Sequence, residues 1–251
     1  MNNLQDTLLF PFRDKDAWSQ FLIACVLMLA AFIIPLLPVI FLMGYTVKIM
    51  RQIIEEGRSP SMPSWQGADW SEMFMDGLRL YGAQLALMLP LILFLGCGLV
   101  TLFGGSMSFA ALAEEGNQAL APVGGLLFFV GMGSIMIFAL LSIPYGIVTA
   151  AAQAHVARKR SFTAAFEFQE WWPVFRSGLG QFVIVYVMIL IASFVFSFIL
   201  QIAMVTIVLI CVVPLLMIPY SAYLMIITNT LYAQAYVAGR EALQKTEYAT
   251  S

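Results

Sequence analysis

Long apolar runs separated by short polar stretches set the pattern of this 251-residue chain. The runs are Trp18–Ile34, Leu36–Tyr45, Leu80–Leu102, Val123–Ala151, Gln181–Gln201 and Ala203–Tyr236. A helix rises 1.5 Å per residue, so about 20 residues cross a hydrocarbon core about 30 Å thick. The third and fifth runs each predict one crossing helix, and the fourth predicts one long or tilted helix. Residues 181–236 are too long for one crossing and predict two, with the turn at Gln201. Pro214 and Pro219 predict kinks in the second of these, because proline lacks an N–H and clashes with the preceding turn.

Residues 18–50 admit two readings. One straight helix would be about 50 Å long at the same rise, well beyond the bilayer. Pro35 and Pro38, in "IIPLLPVIF", favour a hairpin that goes out over 18–34 and returns over 36–57. The alternative is one long helix bent at the prolines. The returning helix has only a short apolar part before Lys48 and Arg51, which fits a tilted or partly re-entrant segment.

Composition narrows the class. Apolar residues make up 61% of the chain and charged residues 10%, against about 25% charged in a soluble domain. A soluble fold would lack the polar surface to cover itself, so the chain reads as a polytopic integral membrane protein. The N-terminus carries Asp6, Asp14 and Asp16 before the first run, unlike a cleavable signal peptide. Cys25, Cys97 and Cys211 stand singly in apolar runs without metal or redox spacing, as small buried apolar residues would. A net charge of −2 gives no basis for nucleic-acid binding.

Charge sets the orientation. All twelve Lys and Arg residues lie before the first run, at 48–79, at 158–176, or after the last run. The opposite loop, 103–121, holds only Glu114 and Glu115. With six spans every cation falls on one side, as the positive-inside rule requires, and both termini are cytoplasmic. Trp18, Trp65, Trp70, Trp171 and Trp172 precede outward-going helices on that same face, where indole suits the headgroup region.

Two echoes divide the chain into units. "AQAHVAR" at 152–158 returns as "AQAYVAGR" at 233–240, and "IPY" occurs at 143–145 and 218–220. "WSEMFMDGL" at 70–78 matches "WWPVFRSGL" at 171–179 in its Trp, Phe, Gly and Leu. Trp and Phe four apart share a helix face suited to the membrane surface, and the glycine would allow a sharp turn into the span. The pattern predicts a single membrane domain over 1–251, built of three parallel repeats at 1–57, 62–158 and 161–242. Each is an interfacial segment, a span out and a span back. The first has diverged most, keeping Trp18 and the Pro35–Pro38 break.

The stretch "LMGYTVKIMRQIIEEGRSPSMPSWQGADWSEMFMDGL" at 42–78 resembles a prokaryotic membrane family known as domain of unknown function 4013. A Gly-Tyr near a helix end leads to a basic helix, then Pro and Trp, then "DW…F..GL". "LYAQAY" at 231–236 matches the family's closing helix, while Ser61–Ser64 stands where the family usually has Leu-Pro-Glu. The resemblance implies a multi-span helical protein of bacterial or archaeal membranes and carries over no activity, substrate or site residue.

The residues themselves offer little catalytic chemistry. Histidine occurs once, at His155, beside cations at a helix end where an interfacial role is expected. HExxH, Walker A, GxSxG and CxxC patterns are missing from the sequence, and no apolar run contains Asp or Glu. That counts against an intramembrane aspartyl protease and against carboxylate-coupled ion transport. The polar residues inside or beside the runs are mild, and interhelical hydrogen bonding is their ordinary use. A sharper reading is a polar intramembrane cluster of Gln153, His155, Tyr145, Tyr220, Asn229 and Gln234, near the cytoplasmic ends of the fourth and sixth helices. Loops 51–79 and 156–180 mix cations, acids and aromatics, suiting anionic headgroups or a soluble partner.

The sequence therefore predicts an all-α transmembrane bundle of about six spans in a prokaryotic cytoplasmic membrane. It would need no cofactor, would not be an enzyme, and would act as a scaffold or accessory subunit. Its expected partners are the lipid bilayer and either another membrane protein or further copies of itself. The competing expectation is a transport component for a small or lipid-like molecule.

Overall fold

The computed structural model describes residues 4–114, 121–205 and 212–250. Helices account for nearly all of them, and no strand occurs among the described residues. In chain order they are α1 (Leu4–Leu9), α2 (Lys15–Ala30), α3 (Leu37–Ile54), α4 (Trp70–Glu114), α5 (Ala121–Lys159), α6 (Phe168–Ser177), α7 (Leu179–Val205) and α8 (Val213–Thr250). Short 3-10 turns at Phe10–Phe12 and Phe162–Phe166 complete the set. The all-α class is as expected. Among the described residues, five helices hold segments long and apolar enough to cross a membrane: Leu37–Ile54, Trp70–Ser108, Pro122–Lys159, Leu179–Val205 and Val213–Thr246.

Local chemistry explains most of the boundaries. Asp14 caps α2 by accepting from the Ala17 N–H at 2.7 Å, and Asp69 caps α4 by accepting from Ser71 and Glu72 at 3.0 and 3.1 Å. After α2 the chain turns through residues 31–36, with Leu36 in the left-handed region at φ 76°. Pro38 then sits in the first turn of α3, where its missing N–H costs nothing. α2 and α3 pack against each other, so residues 18–57 form a hairpin and not one bent helix. α2 has only 16 residues, which is why five helices and not six meet the length needed to cross.

Three expected breaks fall elsewhere. Gln201 lies inside α7, which runs on to Val205, and residues 206–211, with Cys211, lie outside the described residues. Pro214 occupies the first turn of α8 and kinks nothing, whereas Pro219 is interior. Gly77 lies within the unbroken α4 and makes no turn; Gly178 does separate α6 from α7. The outer loop expected over 103–121 is helical as far as Glu114, and residues 115–120 lie outside the described residues.

The chain divides into two compact units, Met1–Gln84 with Val148–Ser251, and Leu85–Ile147. In the larger, α8 is the common post, packing against α1, α2, α3, α6 and α7. Leu42, Ile49 and Met50 of α3 are sealed from solvent, as are Ile226 and Leu231 of α8. The N-terminal segment is tied to α8 by Tyr223 donating to the Leu8 carbonyl at 3.0 Å and by Phe12 stacking on Tyr223.

Glycine brings backbones into contact at two crossings in this unit. A Cβ on Gly44 would overlap the Met73 carbonyl, and one on Gly77 would overlap the Ile40 carbonyl, so α3 and α4 touch main chain to main chain. A Cβ on Gly178 would lie 2.8 Å from the Gly239 Cα, and one on Gly239 would press into the Val174 carbonyl at 2.5 Å. Small residues that let helices approach this closely are a mark of membrane packing.

The smaller unit is a helix pair joined in the same way. Cβ atoms on Gly105 and Gly131 would strike the backbones of Phe128 and Leu102, and one on Gly98 would meet Ser134 at 3.0 Å. The Tyr145 hydroxyl donates to the Leu87 carbonyl. Outward side chains are apolar and bare, with Val100 and Phe129 72% and 70% exposed. Cys97 is exposed as well, contrary to the expected buried position, because it sits on that outward face. Cys25 is half-buried.

Candidate functional site

The six polar residues singled out in the sequence have separate employments. Tyr145 belongs to the smaller unit and bonds Leu87 there. The other five belong to the larger unit. Gln234 donates to the Thr7 hydroxyl at 3.0 Å, and Asn229 donates back to the Met225 carbonyl one turn earlier at 2.8 Å. Tyr220 stacks on Phe196 with ring centroids 3.4 Å apart. Gln153 is buried. His155, expected at the interface, is instead sealed in the core at 1% exposure, and its Nδ1 lies 2.7 Å from the Tyr236 hydroxyl.

His155 and Tyr236 hold the same place in "AQAHVAR" and "AQAYVAGR", so the two echoed helix ends meet through their corresponding residues. Behind the ring, His155 Nε2 faces two carboxylates, 3.5 Å from Glu167 Oε2 and 3.7 Å from Glu170 Oε2. Glu167 immediately precedes α6 and Glu170 lies in its first turn, where helix-end N–H groups favour negative charge. Their i,i+3 spacing puts both on one helix face. Lys159, in the last turn of α5, reaches both, with its Nζ 2.5 Å from Glu167 and 2.7 Å from Glu170. The Lys159 hydrogen bond outweighs desolvation and holds the Glu167 carboxyl below its usual pKa.

A second polar knot follows at once. Arg160 sits past the end of α5 at φ 53°, the left-handed position in which helices commonly stop. Its guanidinium takes both oxygens of the buried Asp76, with Nη2 2.9 Å from Oδ2 and Nε 3.3 Å from Oδ1, and also pairs with Glu72. Arg79 closes on the other Asp76 oxygen at 2.9 Å. The Asp76 hydrogen bond is the main reason the Arg160 pKa is raised.

Aromatic packing fixes the loop between α3 and α4. Trp65 lies flat on Tyr45, with centroids 4.1 Å apart and planes at 5°. Its indole N–H donates to the Gln20 carbonyl at 3.0 Å, and the Tyr45 hydroxyl donates to the Pro63 carbonyl at 2.8 Å. Trp171 is likewise buried, donating to the Ala165 carbonyl. The expected one-sided tryptophan belt is thus only partial. Trp18, Trp70 and Trp172 are exposed, but Trp65 and Trp171 are core side chains whose lone donors are met by backbone oxygens.

Sequence reasoning missed Glu167, Glu170, Asp76 and Arg160 as partners, having read them as loop charges. The spacing of "EFQE" was the available signal, since it aligns two carboxylates. What they face becomes visible only once α5, α6 and α8 are assembled.

A family model described as "Protein of unknown function (DUF4013)" matches residues 27–205. The chain belongs to that family. The matched stretch takes in the 42–78 segment that carried the resemblance and both glutamates facing His155. It stops short of Leu231–Tyr236, so the likeness of the closing helix lies beyond it. No curated protein and no solved structure matched the chain.

Proposed function

We propose that this protein is a non-enzymatic scaffold or accessory subunit of a prokaryotic cytoplasmic membrane, with both termini in the cytoplasm. The observation that carries the reading is how the charged helix ends are used. Arg160, Arg79, Asp76 and Glu72 bond one another, and Lys159 bonds Glu167 and Glu170. Together with the Trp65–Tyr45 stack they lock the ends of α3, α4, α5 and α6 into a firm polar rim. A rim whose charges are spent on joining helices suits a platform better than a reaction centre.

The bare apolar faces of α7 and of residues 85–147 add to this, Phe194 being 74% exposed. In a membrane such faces meet lipid or the helices of another protein. Affinity purification in nanodiscs from native membranes tests the reading. A partner protein or a second copy at constant stoichiometry is the expected result. Solute-dependent flux in proteoliposomes above the protein-free rate, without such a partner, would overturn it.

A transport role is the second reading, favoured by one feature. A cleft of about 350 Å³ in the larger unit is lined by Ile53, Arg58, Pro60, Gln234, Val237 and Glu241. Gln234 Oε1 is buried without a hydrogen-bond partner among the described residues. Selective loss of the flux in a Gln234→Leu variant would favour that reading.

A further inference from the structure

We propose that His155, Glu167 and Glu170 form a three-ligand site for a divalent transition metal of the Zn²⁺ or Mn²⁺ class, with the Lys159 ammonium standing where the ion would bind. The ring is already aimed. Tyr236 holds Nδ1 at 2.7 Å, while Nε2 is buried and has no hydrogen-bond partner among the described residues. With the ring proton on Nδ1 and donated to the Tyr236 oxygen, Nε2 turns its lone pair toward the two carboxylates. Three electron-rich donors converging in this way call for a cation between them. A bond from the other ring nitrogen to a fixed oxygen is also how metal-bound histidines are ordinarily oriented.

Distances agree with that use. Ligand atoms about 2.0–2.2 Å from a tetrahedral ion lie about 3.4 Å from each other. Nε2 is 3.5 and 3.7 Å from the two carboxylate oxygens, and one donor atom from each residue lies within 4.8 Å of the others. An ion therefore enters with small side-chain shifts. One imidazole and two carboxylates suit zinc, manganese or ferrous iron and leave positions for water or a further ligand. Two carboxylates also balance the charge of a divalent ion.

Lys159 shows that the pair is set for positive charge, since its Nζ lies 2.5 and 2.7 Å from the two oxygens. Its side chain is about a third exposed, and a flexible four-carbon stem can swing to solvent. Metal and ammonium would then compete for one place, and bound metal would brace α5 and α6 with α8 behind them through Tyr236. The site needs only these side chains and is independent of the scaffold reading.

The experiment uses the full chain in nanodiscs, stripped with a chelator and titrated with ZnCl₂ and MnCl₂. Bound metal is counted by elemental analysis after equilibrium dialysis. One ion per chain is expected. Glu167→Gln with Glu170→Gln should weaken binding at least tenfold, Tyr236→Phe should weaken it about tenfold or more, and Lys159→Met should tighten it. Circular dichroism and gel filtration of each variant confirm folding. Co²⁺ loaded into the Lys159→Met protein should give the strong visible absorption of tetrahedral coordination, lost when the two glutamates are changed. Failure of both the native chain and Lys159→Met to bind at micromolar metal, or binding indifferent to the glutamates, would overturn the proposal.

Discussion

Gly77 and Gly178 show how one letter serves two purposes. Both close the same echo, and a turn was the natural reading for each, since glycine relaxes the backbone. In the structure both are crossing points, and only Gly178 also ends a helix. Sequence shows that a side chain is missing; it does not show what lies in its place. Gly77→Ala and Gly178→Ala should each lower stability by about 1–3 kcal/mol through overpacking, read as earlier thermal unfolding in detergent. Gly104→Ala, where a Cβ meets no atom of the described residues within 4 Å, should leave stability unchanged or slightly raised. Equal effects at all three would contradict the crossings. Arg160 gives a second case. Arg160→Met strands a carboxylate that is only 7% exposed, although Arg79 still reaches it. A loss of about 1–3 kcal/mol is expected, below the 3–5 of a fully buried pair because the Arg160 side chain is a third exposed. Changing Asp76 to Asn as well should recover part of it.

Helices followed the apolar runs closely wherever proline or a capping aspartate marked a boundary. The α2–α3 hairpin was readable because Pro35 and Pro38 interrupt an otherwise continuous run. The end of α7 was not, since Gln201 is only one polar side chain and the helix passes through it. Interhelical partners were the least readable part, because Glu167 and Glu170 meet His155 only through the way α6 folds back beside α5. The hairpin invites a direct measurement. A cysteine at Leu36, in a chain lacking the three native thiols, should react with a membrane-impermeant maleimide added outside intact cells. Protection from both sides would place the α2–α3 turn within the bilayer and leave α2, 16 residues long, as a re-entrant helix.

For the molecule as a whole, the one-sided cations predict which face each loop occupies. Cysteines at Ser61, Ser161 and Ser251 should stay unlabelled in intact cells and react after permeabilisation. One at Asn117, outside the described residues, should label from outside. Labelling at Ser251 in intact cells would reverse the orientation of the last helix.

The two compact units also differ in how soon they can exist. Residues 85–147 form a local pair whose contacts become possible as soon as both helices leave the ribosome. The larger unit joins Met1–Gln84 to Val148–Ser251, and its central post, α8, is made last. At about 5–20 residues per second, α1, α2 and α3 wait roughly 10–40 seconds for the helix they pack against. During that interval the face of α3 that packs on α8 has no mate, and the membrane insertion machinery or a chaperone must shelter it. A ribosome stalled before α8 should therefore leave a nascent chain open to proteolysis in α3, and release of the stall should close it.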